Sequence, residues 1–193
     1  MKKDLSEFMF RGLLAKHSIR DMEAVGQLQS PLGSAQERTD IDLLAPVSDA
    51  IREGSLYMQR CYRLLYVLEN VVREFVNDVL GEADGGEDQW FDKRANQQMK
   101  KKIGDRKAAE AKNQWHTGRN QHPMYYLDFG DLALLLQTHW PLFKDLLPGQ
   151  AWAVSRLEDA ERSRNVIAHT NLLSDDELVR LEMHVRDWVR QVR

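Results

Sequence analysis

The chain has a single cysteine, Cys61, among 193 residues. One thiol excludes a disulfide framework and a cysteine-based zinc site within one chain. Cys61 falls inside an apolar run and is expected to be a small core residue. With 5 prolines and 11 glycines, little interrupts the chain, so long helices are permitted. No stretch approaches the roughly 20 apolar residues of a membrane span. Residues Met1 to Arg11 lack an apolar core segment and carry Asp4 and Glu7, so they do not read as a signal peptide. These absences together predict a cytoplasmic protein with no membrane association. Excess positive charge is also missing: the net charge is −3. Any affinity for nucleic acid must then come from a local patch.

What is present is helical periodicity. Hydrophobic residues make up 42% and charged residues 30%, the balance of a folded domain rather than a disordered tail. Leu5, Phe8, Met9 and Leu13 predict an amphipathic helix over Asp4–Lys16, and Ser18 and Asp21 open a second, reaching Leu28. Gln29–Asp40, with Pro31, Gly33 and Ser34, reads as a loop. A boundary is placed there, giving an N-terminal helical extension over 1–45 and a helical domain over 46–193.

The longest predicted helix spans Val47–Leu80. Tyr57, Cys61, Leu64, Leu65, Leu68, Val72, Phe75 and Val79 form its apolar stripe, and Tyr62, Tyr66, Val76 and Leu80 widen it, so the helix is expected at the centre of the core. Gly81, Gly85 and Gly86 are expected to end it. Further helices are predicted over Asp128–His139, over Gln150–His169, and after a Ser174/Glu177 capping box, where Leu178, Leu181, Val185, Trp188 and Val192 recur at helical spacing. Pro141 must break the chain between the first two. No segment alternates as a strand does. The fold class is all-α, an antiparallel bundle.

Two places carry chemistry. Between Lys93 and Arg119 lie nine basic residues, namely Lys93, Arg94, Lys100, Lys101, Lys102, Arg106, Lys107, Lys112 and Arg119, against only Asp105 and Glu110. Such a run is either a solvated helix face or a track for RNA phosphates, with Lys100, Lys101, Lys102, Arg106 and Lys107 as its candidates. The tryptophans and tyrosines read as core, Trp115 excepted. Asp128 and Asp131 read as helix-capping carboxylates. His116 and His122 flank a turn without a third ligand in register, so no metal is expected.

The second place is the end of the helix at His169. Ala153, Leu157, Ala160 and Ile167 form an apolar stripe, and Arg164 falls in its gap, where a guanidinium near the core needs a partner. Asn165 and His169 are four apart and share a neighbouring face. A fixed cation, an amide and an imidazole are the groups that RNA self-cleavage by its 2′-hydroxyl calls for. The same residues also suit an ion pair, a cap and a dipole-complementing histidine. Five residues of ideal helix turn by about 500°, so Arg164 and His169 point about 140° apart. Closing that gap requires the helix to end at His169, the arginine to swing round, or a second chain. Glu69 and Arg73, four apart on the long helix, are either an internal ion pair or a support that holds Arg164 or His169 in place.

The string Arg164-Asn165-Val166-Ile167-Ala168-His169 resembles the motif of HEPN domains: arginine, a polar residue, three more residues, histidine. Leu68 to Arg73, Tyr126 to Leu132, Trp140, Phe143 and Ser174 to Leu181 extend the resemblance over Tyr57–Val189, toward the branch attached to a PIN-type RNA-surveillance endonuclease and found in bacterial defence proteins. The resemblance implies a helical bundle that dimerises and acts, without metal or other cofactor, as an endoribonuclease in antiviral defence or toxin–antitoxin systems. Arg164, Asn165 and His169 would be the catalytic set, RNA the substrate, and an antitoxin or defence complex the partner. The alternative it implies is a non-catalytic module that binds RNA or a partner protein. HEPN toxins paired with a nucleotidyltransferase antitoxin carry a tyrosine two positions after the histidine. Asn171 stands there, so regulation by adenylylation at that position is not carried over.

Overall fold

The computed structural model describes residues 43–86, 89–113 and 115–192. The expected helices Asp4–Lys16 and Ser18–Leu28 and the loop Gln29–Asp40 lie outside them. The chain divides between Arg52 and Glu53 into two compact units, and the second is described below.

All regular structure among the described residues is helical. Helix α1 (Asp49–Asp84) is followed by α2 (Trp90–Arg94), α3 (Gln97–Ala111), a 3-10 turn (Pro123–Tyr126), α4 (Phe129–Thr138), α5 (Trp140–Phe143), α6 (Gln150–Ala168) and α7 (Asp175–Val192). None of these helices is long and apolar enough to cross a membrane.

The long apolar stripe does build the core. Cys61, Leu65, Leu68, Val72, Val76 and Leu80 are buried at steps of four, three, four, four and four, which keeps them on one side of a 3.6-residue helix. Burial pushes the Cys61 thiol above its ordinary pKa, as suits a packing residue. Gly81 does not end α1; it is buried within it. The stop comes four residues later, where Gly85 takes φ +87° and the Gly86 N–H donates to the Gly81 carbonyl at 2.9 Å. This six-to-one bond over a left-handed residue is the helix-ending motif that glycine favours.

The remaining breaks follow local chemistry. Asp128 and Asp131 form a reciprocal capping box that opens α4, and Ser174 and Glu177 do the same before α7. Pro141 sits in the first turn of α5, where its missing N–H costs nothing. Leu132, Leu135 and Leu136 of α4 are buried, and α4 packs mainly on α6.

Helices α6 and α7 pack antiparallel: Trp152 stacks against Trp188 at 5.3 Å, Arg156 pairs with Asp187 at 2.7 Å, and Asp159 lies 3.5 Å from His184. Helices α1 and α7 instead run in the same direction. The Tyr57 hydroxyl meets Asp175, Arg60 pairs with Glu182, and Phe75 meets Trp188 edge-on.

His184 is buried in this seam. Burial lowers its pKa, Arg156 adds to the fall, and Asp159 opposes it. The folded state therefore holds the imidazole neutral, while the unfolded chain takes up a proton below its ordinary pKa of about 6.5. Stability from this site is present above that pH and is lost as pH falls. His184→Gln should lose less thermal midpoint than the parent between about pH 7 and 5, measured by circular dichroism. Equal losses would refute the assignment.

Candidate active site

Helix α6 ends at Ala168, so His169 is its C-cap, with φ −94° and ψ 17°. The Thr170 N–H donates to the Ile167 carbonyl at 2.9 Å and the Asn171 N–H to the Val166 carbonyl at 3.1 Å. These two bonds close the helix in the same manner as at Gly85, but the left-handed position is filled by threonine, with Thr170 at φ 57°. A β-branched residue there costs about 1–2 kcal/mol. The Thr170 hydroxyl and the Asn171 amide both donate to the His169 carbonyl, at 2.7 and 3.1 Å. The backbone around His169 is thus held tightly while its ring, exposed, makes no hydrogen bond among the described residues.

Arg164 is not near the core. The apolar stripe of α6 is buried at Ala153, Leu157 and Ala160, but the last turn passes beyond it and Arg164 is exposed. Its partner is its neighbour: Nη1 donates to Asn165 Oδ1 at 3.2 Å. The guanidinium faces a cleft of about 460 Å³ whose walls include Tyr62, Tyr66, Glu69, Arg73, Arg119 and Tyr125. The structure therefore brings Arg164 together with Glu69 and Arg73. It does not bring in His169, which is absent from the cleft walls.

Glu69 and Arg73 form the floor. Arg73 Nη2 donates to Glu69 Oε1 at 2.6 Å and to the Leu127 carbonyl at 2.8 Å, and its guanidinium lies over the Tyr125 ring at 5.8 Å. The side chains are 14% and 21% exposed for Arg73 and Glu69. Burial raises the Glu69 pKa, and the charges of Arg73 and then Arg164 pull it back. Glu69 thus pairs with Arg73 directly and acts on Arg164 only through space.

The basic segment is largely spent inside the molecule. Lys102 on α3 bridges both carboxylates of the α4 capping box, Asp128 at 2.5 Å and Asp131 at 2.7 Å. Arg106 donates to the Tyr126 carbonyl and reaches Asp128 at 3.4 Å. Lys107 donates to the Gln121 carbonyl at 2.8 Å and lies over the Tyr126 ring, while Lys100 donates to the Asp92 carbonyl at 2.7 Å. Lys101 alone of these five is exposed, and it has no partner among the described residues. Burial raises Asp128, but the bonds from Lys102 and the Asp131 backbone outweigh it and hold its pKa at about 2.

Other residues reach the cleft that the sequence had not placed there. Tyr62 and Tyr66, expected in the core, are 61% and 60% exposed. Arg119 and Asn120 come from the loop before the 3-10 turn. The signal for the tyrosines was their register: each lies one residue past a buried position, which on a helix is a turn of about 100°. Among the described residues, no group of three or more His, Cys, Asp or Glu is placed to hold a metal ion.

The family model described as Swt1-like HEPN matches residues 63–193, roughly two thirds of the chain. The chain belongs to the Swt1-like HEPN family. Comparison with curated proteins and with solved structures gives no match. In this HEPN domain the Arg-Asn-x-x-x-His string occupies the closing turns of α6, with its arginine in the cleft and its histidine at the cap.

The two neighbouring lysines of α3 should separate cleanly. Lys102→Ala leaves two carboxylates facing each other and should cost about 1–2 kcal/mol of unfolding free energy. Lys101→Ala should stay within about 0.5 kcal/mol. Denaturant unfolding of both variants measures this; equal losses would mean that the Lys102 bridge contributes nothing specific.

Proposed function

We propose that this HEPN domain is a metal-independent endoribonuclease of a defence or toxin–antitoxin system. The observation that carries the reading is Arg164: an exposed guanidinium, oriented by the amide of Asn165, at the mouth of a cleft with further arginines. A fixed cation of this kind stabilises the crowded phosphorane that forms when a 2′-oxygen attacks the adjacent phosphorus. As that bond forms, the bond from phosphorus to the 5′-oxygen breaks, leaving a 2′,3′-cyclic phosphate and a 5′-hydroxyl. One proton must leave the 2′-hydroxyl and one must reach the 5′-oxygen, and His169 is the group suited to either transfer. Asn165 aligns the guanidinium. Lys101 is free to add a phosphate contact.

Two proton transfers and one motif histidine per chain favour a homodimer in which two copies of the motif meet. The separation of His169 from the cleft favours it as well, since a partner's imidazole could supply what the single chain keeps apart. The same separation also favours the second reading, a non-catalytic module in which the arginine cleft binds RNA or a partner protein without cutting.

Labelled RNA incubated with the purified chain in excess EDTA should be cleaved to those ends. Arg164→Ala and His169→Ala should each slow cleavage by about 10²-fold or more, and mixing the two variants should restore part of the activity. Cleavage abolished by EDTA and recovered with magnesium contradicts the metal-independent reading. No recovery on mixing contradicts the shared site, and no cleavage under any condition leaves the binding module.

A further inference from the structure

Helix α1 carries two stripes. The buried one runs through Cys61, Leu65, Leu68 and Val72. The other, displaced by one residue, runs through Tyr62, Tyr66, Glu69, Asn70 and Arg73 and forms one wall of the cleft. Its outer half is aromatic and its inner half is charged. Tyr62 and Tyr66 are 61% and 60% exposed, with ring centroids 6.4 Å apart and planes inclined by 41°. Both tyrosines are thus largely exposed to water beside Arg164 and Arg119.

The charges decide what fits. Arg73, Arg119 and Arg164 line the cleft with one carboxylate, Glu69; Arg73 pairs with Glu69 and Arg119 with Glu110 outside the cleft walls, so Arg164, whose partner is the Asn165 amide, is the lining cation without a carboxylate among the described residues. The cleft therefore favours an anion. Two open aromatic faces next to that charge favour an anion that also presents flat apolar surface. Unpaired nucleotides have both properties, whereas a duplex hides its base faces in its own stack. The cleft's volume of about 460 Å³ falls within the size range of small-molecule sites, roughly 300–1,000 Å³, and accommodates a base with its sugar and phosphate.

We propose that Tyr62 and Tyr66 form a stacking platform for an unpaired base, with Arg164 on the neighbouring phosphate, so that the cleft selects single-stranded RNA over duplex. This rests on the reading of the cleft as an RNA site, but not on cleavage. Stacking on an aromatic side chain contributes roughly 5- to 150-fold in affinity per base.

The test uses a 2′-O-methyl oligonucleotide, which has no free 2′-hydroxyl to attack the phosphate, carrying 2-aminopurine and offered to the full chain as single strand and as duplex. The parent should prefer the single strand by about tenfold or more and quench the 2-aminopurine. Tyr62→Ala/Tyr66→Ala should lose about tenfold or more in single-strand affinity and most of the quenching, while Tyr62→Phe/Tyr66→Phe, which keeps both rings, should retain them. Unchanged single-strand affinity in the alanine variant overturns the platform, as does equal binding of duplex by the parent. A fall in molar mass of the alanine variant by light scattering, with binding per chain unchanged, also overturns it and assigns the tyrosines to contact between copies. If the parent binds and quenches this probe yet never cuts cleavable RNA, the platform stands and the endoribonuclease reading fails.

Discussion

One guanidinium ties the cleft to the core. Arg73 sits on α1, next to the buried Val72, and reaches both Glu69 on its own helix and the Leu127 carbonyl 54 residues further along. Leu127 closes the 3-10 turn and immediately precedes Asp128, the cap of α4. The entry to α4, the position of Tyr125 and the floor of the cleft are thereby referred to one point on the longest helix. Removing charges from water is costly, and the raised pKa of Glu69 records that cost. The pair persists because each charge has the other, and because the same Nη2 also donates to the Leu127 carbonyl.

This arrangement explains how positive charge is distributed. Much of the basic segment holds the molecule together: Lys102 and Arg106 serve the capping box of α4, and Arg94 grips Asp84 at the end of α1 with two bonds at 2.5 and 2.9 Å. Arg164 has only the Asn165 amide for company among the described residues. A local excess of lysine and arginine in a sequence is thus a poor guide to where an anion binds; the cation whose partner is a neutral amide in an open cleft is the better one.

Helices α1, α4, α6 and α7 were legible because their causes are local. The stripe from Cys61 to Leu80, the Ser174/Glu177 box and the proline at 141 each act within a turn or two. For the Arg164–Asn165–His169 string, helix geometry posed the question of diverging directions. The structure answers half of it, by ending α6 at Ala168 over a left-handed Thr170. The environment of Tyr62 and Tyr66 was not legible. Whether a stripe next to the core is covered depends on which helix packs there, and among the described residues Tyr62 and Tyr66 stay exposed. The partners of Lys102 were hidden for the same reason, since Asp128 and Asp131 lie 26 and 29 residues away.

The central claim is that Arg73 anchors the cleft to the core. Denaturant unfolding of Arg73→Met measures it most directly. Methionine keeps an unbranched apolar stem but strands the Glu69 carboxylate and removes the donor to Leu127. Breaking a buried pair in this way predicts a loss of about 3 kcal/mol or more. A loss within about 0.5 kcal/mol, the value of an exposed surface pair, would contradict the account.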